Sequence, residues 1–201
     1  FLFFWYRNQP IKLPITEKQV EVGSLTQPTI TFLNPSKGAK APKLTIVEFG
    51  DFECESCKNI ADSLEVVLKT YPEDVKVVWK DLPNESTHPL ATPASIAAHC
   101  ADQQGMFWPY HDQLYAQQSY LAQAQFPQIA QQLGLKMDKF TDCYESKDTL
   151  PLIKKDYEEG LALGLTATPA LYIGGDLSIG SITTQELLDL VANKLSSSSQ
   201  E

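Results

Sequence analysis

The chain has 201 residues, 43% of them hydrophobic, which suits one globular domain with a real core and argues against wholesale disorder. Sixteen Lys and Arg stand against 25 Asp and Glu, a net charge of −9, and this disfavours a nucleic-acid binder because phosphate recognition wants a basic face. No apolar run reaches the ~18 residues of a membrane-spanning helix, and four cysteines are too few for a disulfide-built framework but enough for two pairs.

Residues 1–27 read as a membrane-proximal anchor end and linker. Phe1-Leu2-Phe3-Phe4-Trp5-Tyr6, followed by Arg7, is an aromatic run of the kind that favours the membrane–water interface. It is expected to be the outer end of an anchor or of an uncleaved signal segment; the other reading is an amphipathic strand or helix start that packs on the domain. The folded domain is placed at 28–195, with a polar tail, 196–201, expected to fray.

Within the domain, Thr29-Ile30-Thr31-Phe32-Leu33 alternates like a strand. Leu44 to Phe49 is mostly apolar and reads as a strand buried on both faces. Cys57 to Tyr71 carries apolar residues at helical spacing and stops at Pro72. Val75 to Trp79 is the next strand, so the unit is βαβ, with parallel pairing and a right-handed crossover. Helical spacing then recurs in Pro93–Gln103, Phe107–Gln118, Pro127–Leu133, Met137–Tyr144 and Asp148–Leu163, a helical insertion over about 84–163. Ala170 to Ile173 returns to strand, Gly174-Gly175 marks a hairpin turn, and Leu177 to Ile179 is the partner strand. Thr183-Thr184-Gln185-Glu186 fits a capping box that opens a last helix. The order is βαβ, helical insertion, ββα, an α/β fold.

Cys54-Glu55-Ser56-Cys57 falls at the junction of the Leu44–Phe49 strand with the following helix. A helix N-terminus offers unpaired N–H groups and partial positive charge, which favour thiolate over thiol. Cys54, at that edge, is the expected attacker; Cys57, one turn further in, is the expected resolver. Two other readings compete: a zinc half-site completed by Cys100, Cys143 and a histidine, and a pair of inert thiols. Placement inside βαβ favours exchange chemistry. Thr168-Pro169 just precedes the Ala170 strand. The proline is either tolerated as the first strand residue or held in cis, its neighbouring backbone open to an extended substrate near Cys54.

Three segments carry a resemblance. Val47-Glu48-Phe49-Gly50-Asp51-Phe52-Glu53-Cys54-Glu55-Ser56-Cys57 resembles the active-site region of the DsbA-like thioredoxin-fold thiol–disulfide oxidoreductases. Gln104-Gly105-Met106-Phe107-Trp108-Pro109-Tyr110-His111-Asp112 resembles their helical insertion, and Thr166 to Gly175 their cis-proline strand. The resemblance runs from about Thr29 to Leu195 and implies thiol–disulfide exchange with proteins outside the cytoplasm. By position, Glu48 matches the family's buried acid and Lys80 its basic partner. Such a pair would manage the proton of Cys57; the other reading is an ordinary strand-end ion pair.

The sequence departs from the family's best-known oxidases between the cysteines, where Glu55-Ser56 replaces Pro-His. Asp51, Glu53 and Glu55 surround Cys54. An exposed charge at ~6 Å is worth about 0.7 kcal/mol in water, so two of them would offset much of a helix-terminus benefit of ~1 kcal/mol. A weaker oxidant than the Pro-His enzymes is expected. Cys100 and Cys143 lie on different predicted helices of the insertion, where some family members carry a second disulfide. In an oxidising compartment they are expected to pair; otherwise they are two buried free thiols.

The reading is an extracytoplasmic oxidoreductase, N-terminally membrane-anchored and monomeric, that introduces disulfides into exported proteins with free thiols. An isomerase, a reductase or a non-catalytic peptide-binding module of the same fold are the alternatives. The chemistry calls for no cofactor and no metal. By resemblance, reoxidation falls to a membrane partner, DsbB or a vitamin K epoxide reductase-like protein.

Overall fold

The structure is a computed structural model that describes residues 12–14 and 20–198. The aromatic run Phe1–Tyr6 and residues 199–201 lie outside them. No helix among the described residues is long and apolar enough to cross a membrane.

The first strand is not Thr29–Leu33. Asn34 Oδ1 accepts from Thr31 N at 2.9 Å and Asn34 N donates to Thr31 O at 3.2 Å, which closes a turn and leaves Phe32 exposed. The chain joins the sheet just afterwards, as the edge strand β1 (Ser36–Gly38). The apolar run Leu44–Gly50 forms β2, and α1 (Glu55–Thr70) follows it. Strand β3 (Val75–Asp81) lies parallel to β2, in register from Leu44 opposite Val75 to Gly50 opposite Asp81.

Five helices fill the interval before the next strand: α2 (Ala91–Asp102), α3 (Phe107–Ala116), α4 (Gln125–Gln132), α5 (Met137–Ser146) and α6 (Leu150–Ala162). A single 3-10 turn, Gln118–Tyr120, follows α3. The hairpin β4 (Ala170–Ile173) and β5 (Asp176–Ile179) turns through Gly174 and Gly175, both at positive φ (56° and 93°). The last helix, α7 (Thr184–Ser198), opens on the reciprocal capping box: Glu186 Oε2 accepts from Thr183 N at 2.8 Å, and Thr183 Oγ1 accepts from Glu186 N at 3.2 Å. It runs three residues past Leu195, into the expected tail.

The sheet order is β1-β3-β2-β4-β5, with only β2 and β3 parallel. Alternation along β2 supplies two cores. Leu44 and Ile46 pack with Ile60, Leu64 and Val67 of α1 and Leu187 and Val191 of α7. Val47 and Phe49 face the other way, onto Leu163, Leu165 and Tyr172. A third core fills the insertion, and it includes Phe52, Cys54, Cys57 and Trp79. The active-site loop is therefore built into the insertion's packing. Gly50 permits this closeness, since a Cβ there would lie 2.4 Å from the Trp79 ring. Cys100 of α2 and Cys143 of α5 are joined in a disulfide within the same core.

Candidate active site at the start of helix α1

Strand β2 ends at Gly50, and the loop Asp51–Cys54 carries the chain to α1. Cys54 is the N-cap, with extended backbone (φ −76°, ψ 115°), and its Sγ accepts the Cys57 N–H at 3.2 Å. The sulfur thus takes the place that a hydroxyl or carboxylate oxygen fills in most helix caps. It also lies 3.6 Å from Thr168 O, the carbonyl preceding Pro169. The Thr168–Pro169 peptide is cis. Thr166 and Ala167 are exposed, Thr168 is half-buried and Pro169 is buried, so the chain emerges to solvent two residues before the cis bond.

The two thiols differ in kind. Cys54 retains 7% of its surface and Cys57 none. Hydrogen bonds from the Cys57 side chain and backbone lower the Cys54 thiol to about 6, against the opposing effects of burial and Asp51. Burial pushes the Cys57 thiol well up, and the neighbouring Cys54 and Glu48 charges add to this. Of the two, Cys54 is the one whose thiolate the surroundings favour, and Cys57 is the one they hold toward the protonated form. Both cysteines are free, which is the dithiol form.

The acidic neighbours weigh less than the sequence implies. Asp51 is buried and saturated: Oδ1 accepts from Glu53 N at 2.8 Å, and Oδ2 accepts from Asn84 N at 2.8 Å and faces His88 Nδ1 at 2.8 Å. Glu53 accepts from Leu90 N, and burial holds its carboxyl above the ordinary range.

Glu48 and Lys80 do not form the pair expected of them. Strand alternation places Glu48 on the α1 face of the sheet, where burial pushes its carboxyl up to about 8, Lys37 opposes the rise and Cys54 adds to it. Glu48 Oε1 has no hydrogen-bond partner among the described residues. Lys80 stands on the α6 face, its ammonium 2.7 Å from Asp156 and 2.6 Å from Glu159. Two carboxylates compensate one buried lysine there, and neither is the acid beside the cysteines. The basic group on the Glu48 side is Lys37 of β1, ion-paired with Glu65 and 4.4 Å from the Trp108 ring centroid.

Cys100 and Cys143, being bonded to each other, are not ligands that a zinc site at Cys54 and Cys57 could recruit. Among the described residues, no group of three His, Cys, Asp or Glu is placed to hold a metal. A cavity of about 190 Å³, lined by Gln27, Val47 and Tyr172 among others, opens at the Leu44–Gly174 end of the sheet, away from the thiols.

Several residues at the site carry no sequence signal. Tyr115 OH donates to Asp51 O at 3.4 Å, and Gln118 Nε2 donates to Phe52 O and Cys54 O, both at 2.9 Å. A glutamine in a glutamine-rich stretch has no spacing to mark it.

A thioredoxin family model matches residues 14–193. The chain belongs to the thioredoxin family. This thioredoxin-family member carries its two unequal thiols at the start of α1, within the matched region. Its structure is similar to that of a periplasmic thioredoxin-like protein from Salmonella enterica serovar Typhimurium (28% identity, TM-score 0.64, 82% of this chain and 91% of that one). It shares its fold with the thiol-disulfide exchange protein α-DsbA2 of Wolbachia pipientis (20% identity, TM-score 0.72, 81% and 87%). In sequence it is 30% identical over 151 residues to a protein named Na(+)/H(+) antiporter NhaA 1 from Salinispora arenicola, covering 75% of this chain. The thioredoxin-family chain spans 23% of that relative's length, and the antiporter name describes the whole relative.

Proposed function

We propose that the protein is an extracytoplasmic oxidase that passes the Cys54–Cys57 disulfide to exported proteins. A substrate thiolate attacks Cys54 Sγ; the Cys54–Cys57 bond breaks, and its electron pair leaves on Cys57, which takes a proton. A second substrate thiolate then attacks the substrate sulfur of the mixed disulfide. The substrate leaves oxidised, and the protein leaves as the dithiol seen here. Two electrons have entered it, and a membrane-bound reoxidising partner of the DsbB or vitamin K epoxide reductase-like type is assigned to remove them.

The observation that carries this direction is the Cys54 sulfur seated as N-cap of α1, where it accepts the Cys57 N–H at 3.2 Å and its thiol is lowered to about 6. Stabilising the thiolate stabilises the reduced protein and makes its disulfide the better oxidant. In the same reading, Thr168 and Pro169 present the exposed chain before β4 to an extended substrate, and Glu48, protonated near neutrality, serves Cys57 as proton donor and acceptor. The periplasmic description of the Salmonella protein supports the compartment. The Cys100–Cys143 bond fits it too, since such bonds persist in oxidising surroundings.

Titration of the Cys54–Cys57 couple against glutathione tests the direction. A potential more oxidising than about −200 mV is expected. A more reducing value makes the protein an electron donor and overturns the oxidase assignment.

A further inference from the structure

The loop that delivers the attacking sulfur is held from outside the sheet. Its carbonyls face the helical insertion, and the insertion holds them. Phe52 O and Cys54 O both accept from Gln118 Nε2 at 2.9 Å. The side-chain amide nitrogen has two hydrogens, and the two carbonyls that flank Glu53 take both. One turn earlier, Tyr115 OH reaches Asp51 O at 3.4 Å. The Phe52 ring, between these contacts, is fully buried, stacked on Trp79 at 4.8 Å and tilted against Tyr115 at 5.4 Å.

Cys54 O has a second task. It accepts from Cys57 N at 3.1 Å and from Lys58 N at 3.3 Å, and so begins the first turn of α1. If this carbonyl rotates, Cys57 N moves with it, and the N–H that the sulfur accepts is displaced. The orientation of one carbonyl thus couples the insertion to the sulfur.

We propose that Gln118 is a positioning residue for Cys54: from the insertion it locks the active-site loop by two carbonyls, keeping the sulfur seated on the N-terminus of α1. This rests on the exchange reading of Cys54. Gln118 is neutral, so its replacement changes no charge among Asp51, Glu53, Glu55 and His88 of the loops and helix start, Lys37 and Glu48 of the sheet, and Tyr115 of α3, the titratable groups around the thiols. A role confined to stability would shift the melting temperature and leave the chemistry of the sulfur alone.

The test is Gln118→Met, close in length but without donors, with Gln118→Asn as a second variant whose amide is one methylene short. Alkylation of Cys54 by iodoacetamide is followed against pH in the reduced, folded protein, together with reduction of glutathione disulfide. The alkylation midpoint is expected to rise by about half a unit, which at pH 5 slows alkylation about threefold. Exchange with glutathione disulfide is expected to slow alongside it. Unchanged midpoints and rates in folded variants, beside an active parent, overturn the role of Gln118 alone. A parent that does not exchange with glutathione disulfide overturns the exchange reading and this inference together.

Discussion

Glu48 and Lys80 sit on adjacent strands, one register step apart, and point to opposite faces of the sheet. Glu48 lies opposite Trp79, and Lys80 lies opposite Phe49. Since side chains alternate along a strand, a single step separates the buried Glu48 carboxyl from the Lys80 ion network. Lys80 belongs to a buried structural cluster in which Asp156 also accepts from Asn34 Nδ2 at 3.3 Å, and Glu159 accepts from Thr29 N. Lys80→Met leaves two buried carboxyls without their cation, at a cost of about 3–5 kcal/mol. The melting temperature is expected to fall by on the order of 10 °C. The pH midpoint of Cys54 alkylation is expected to stay put, and a clear shift of that midpoint would restore a proton role to Lys80.

Glu48→Gln should act in the other direction. The Glu48 carboxyl is held at about 8 in the folded state, above its ordinary 4.5, so its contribution to stability is fully present below pH 4.5 and is lost as pH rises through 8. At pH 7 the cost of keeping it protonated is on the order of 3 kcal/mol. The glutamine variant escapes that cost. Its melting temperature is expected to exceed the parent's by several degrees at pH 8 and to match it near pH 4.5. If Glu48 is the proton partner proposed for Cys57, the variant's exchange rate is expected to fall. Stopped-flow exchange and melting curves at the two pH values check both halves; a variant that exchanges at the parent rate removes Glu48 from the chemistry.

The asymmetry of the thiols makes its own prediction. Cys54 is depressed to about 6 from an ordinary 9.0, so the stability that its thiolate gives the reduced protein is present above pH 9 and lost as pH falls through 6. The oxidised protein has no such thiolate. The difference in melting temperature between reduced and oxidised forms is therefore expected to change between pH 8 and pH 5, with the reduced form losing ground. Alkylation of Cys54 is expected to halve near pH 6. Cys54→Ser should abolish turnover, and Cys57→Ser should accumulate mixed disulfides with substrate, visible on non-reducing gels. Full turnover in the Cys54→Ser protein would end the assignment of Cys54 as attacker.

The architecture was legible because local pattern and tertiary role agree through most of the chain. The doubly buried run at Leu44, the Thr183–Glu186 box and the Gly174-Gly175 turn each specify their element in a few residues. Thr29–Leu33 misleads because alternation there is not backed by burial: the Asn34 side chain captures Thr31 N and turns the chain. At the site, Cys54 and Cys57 are readable because a dithiol at a helix start has a chemical reason to be there. The pairing of Lys80 is not readable. Its partners, Asp156 and Glu159, lie 76 and 79 positions away on α6, and nothing local says which sheet face they cover. The damping of the acidic neighbours is equally hidden, since the donors that occupy Asp51 come largely from the loop after β3.

The bridge between Cys100 and Cys143 closes a sequence separation of 43 residues, and that stretch contains α3, the 3-10 turn and α4. Its removal by a Cys100→Ala, Cys143→Ala double substitution frees the unfolded chain, at a cost to stability of about 4 kcal/mol in the chain-entropy model. For a domain of this size the melting temperature is expected to fall by on the order of 10 °C. The substituted positions are buried apolar sites in the insertion core, so the native packing loses two sulfurs and little else. Tyr115 and Gln118, which hold the Asp51–Cys54 loop, lie within the bridged stretch. Well below the transition they should keep their places, and the Cys54 alkylation midpoint should match the parent's. Nearer the transition, the insertion is expected to loosen first and to carry the midpoint upward with temperature, while the bridged parent holds steady. A melting temperature unchanged by the double substitution would show that the bridge contributes nothing to stability. A midpoint already shifted at 25 °C would show that the bridge tunes the active site directly.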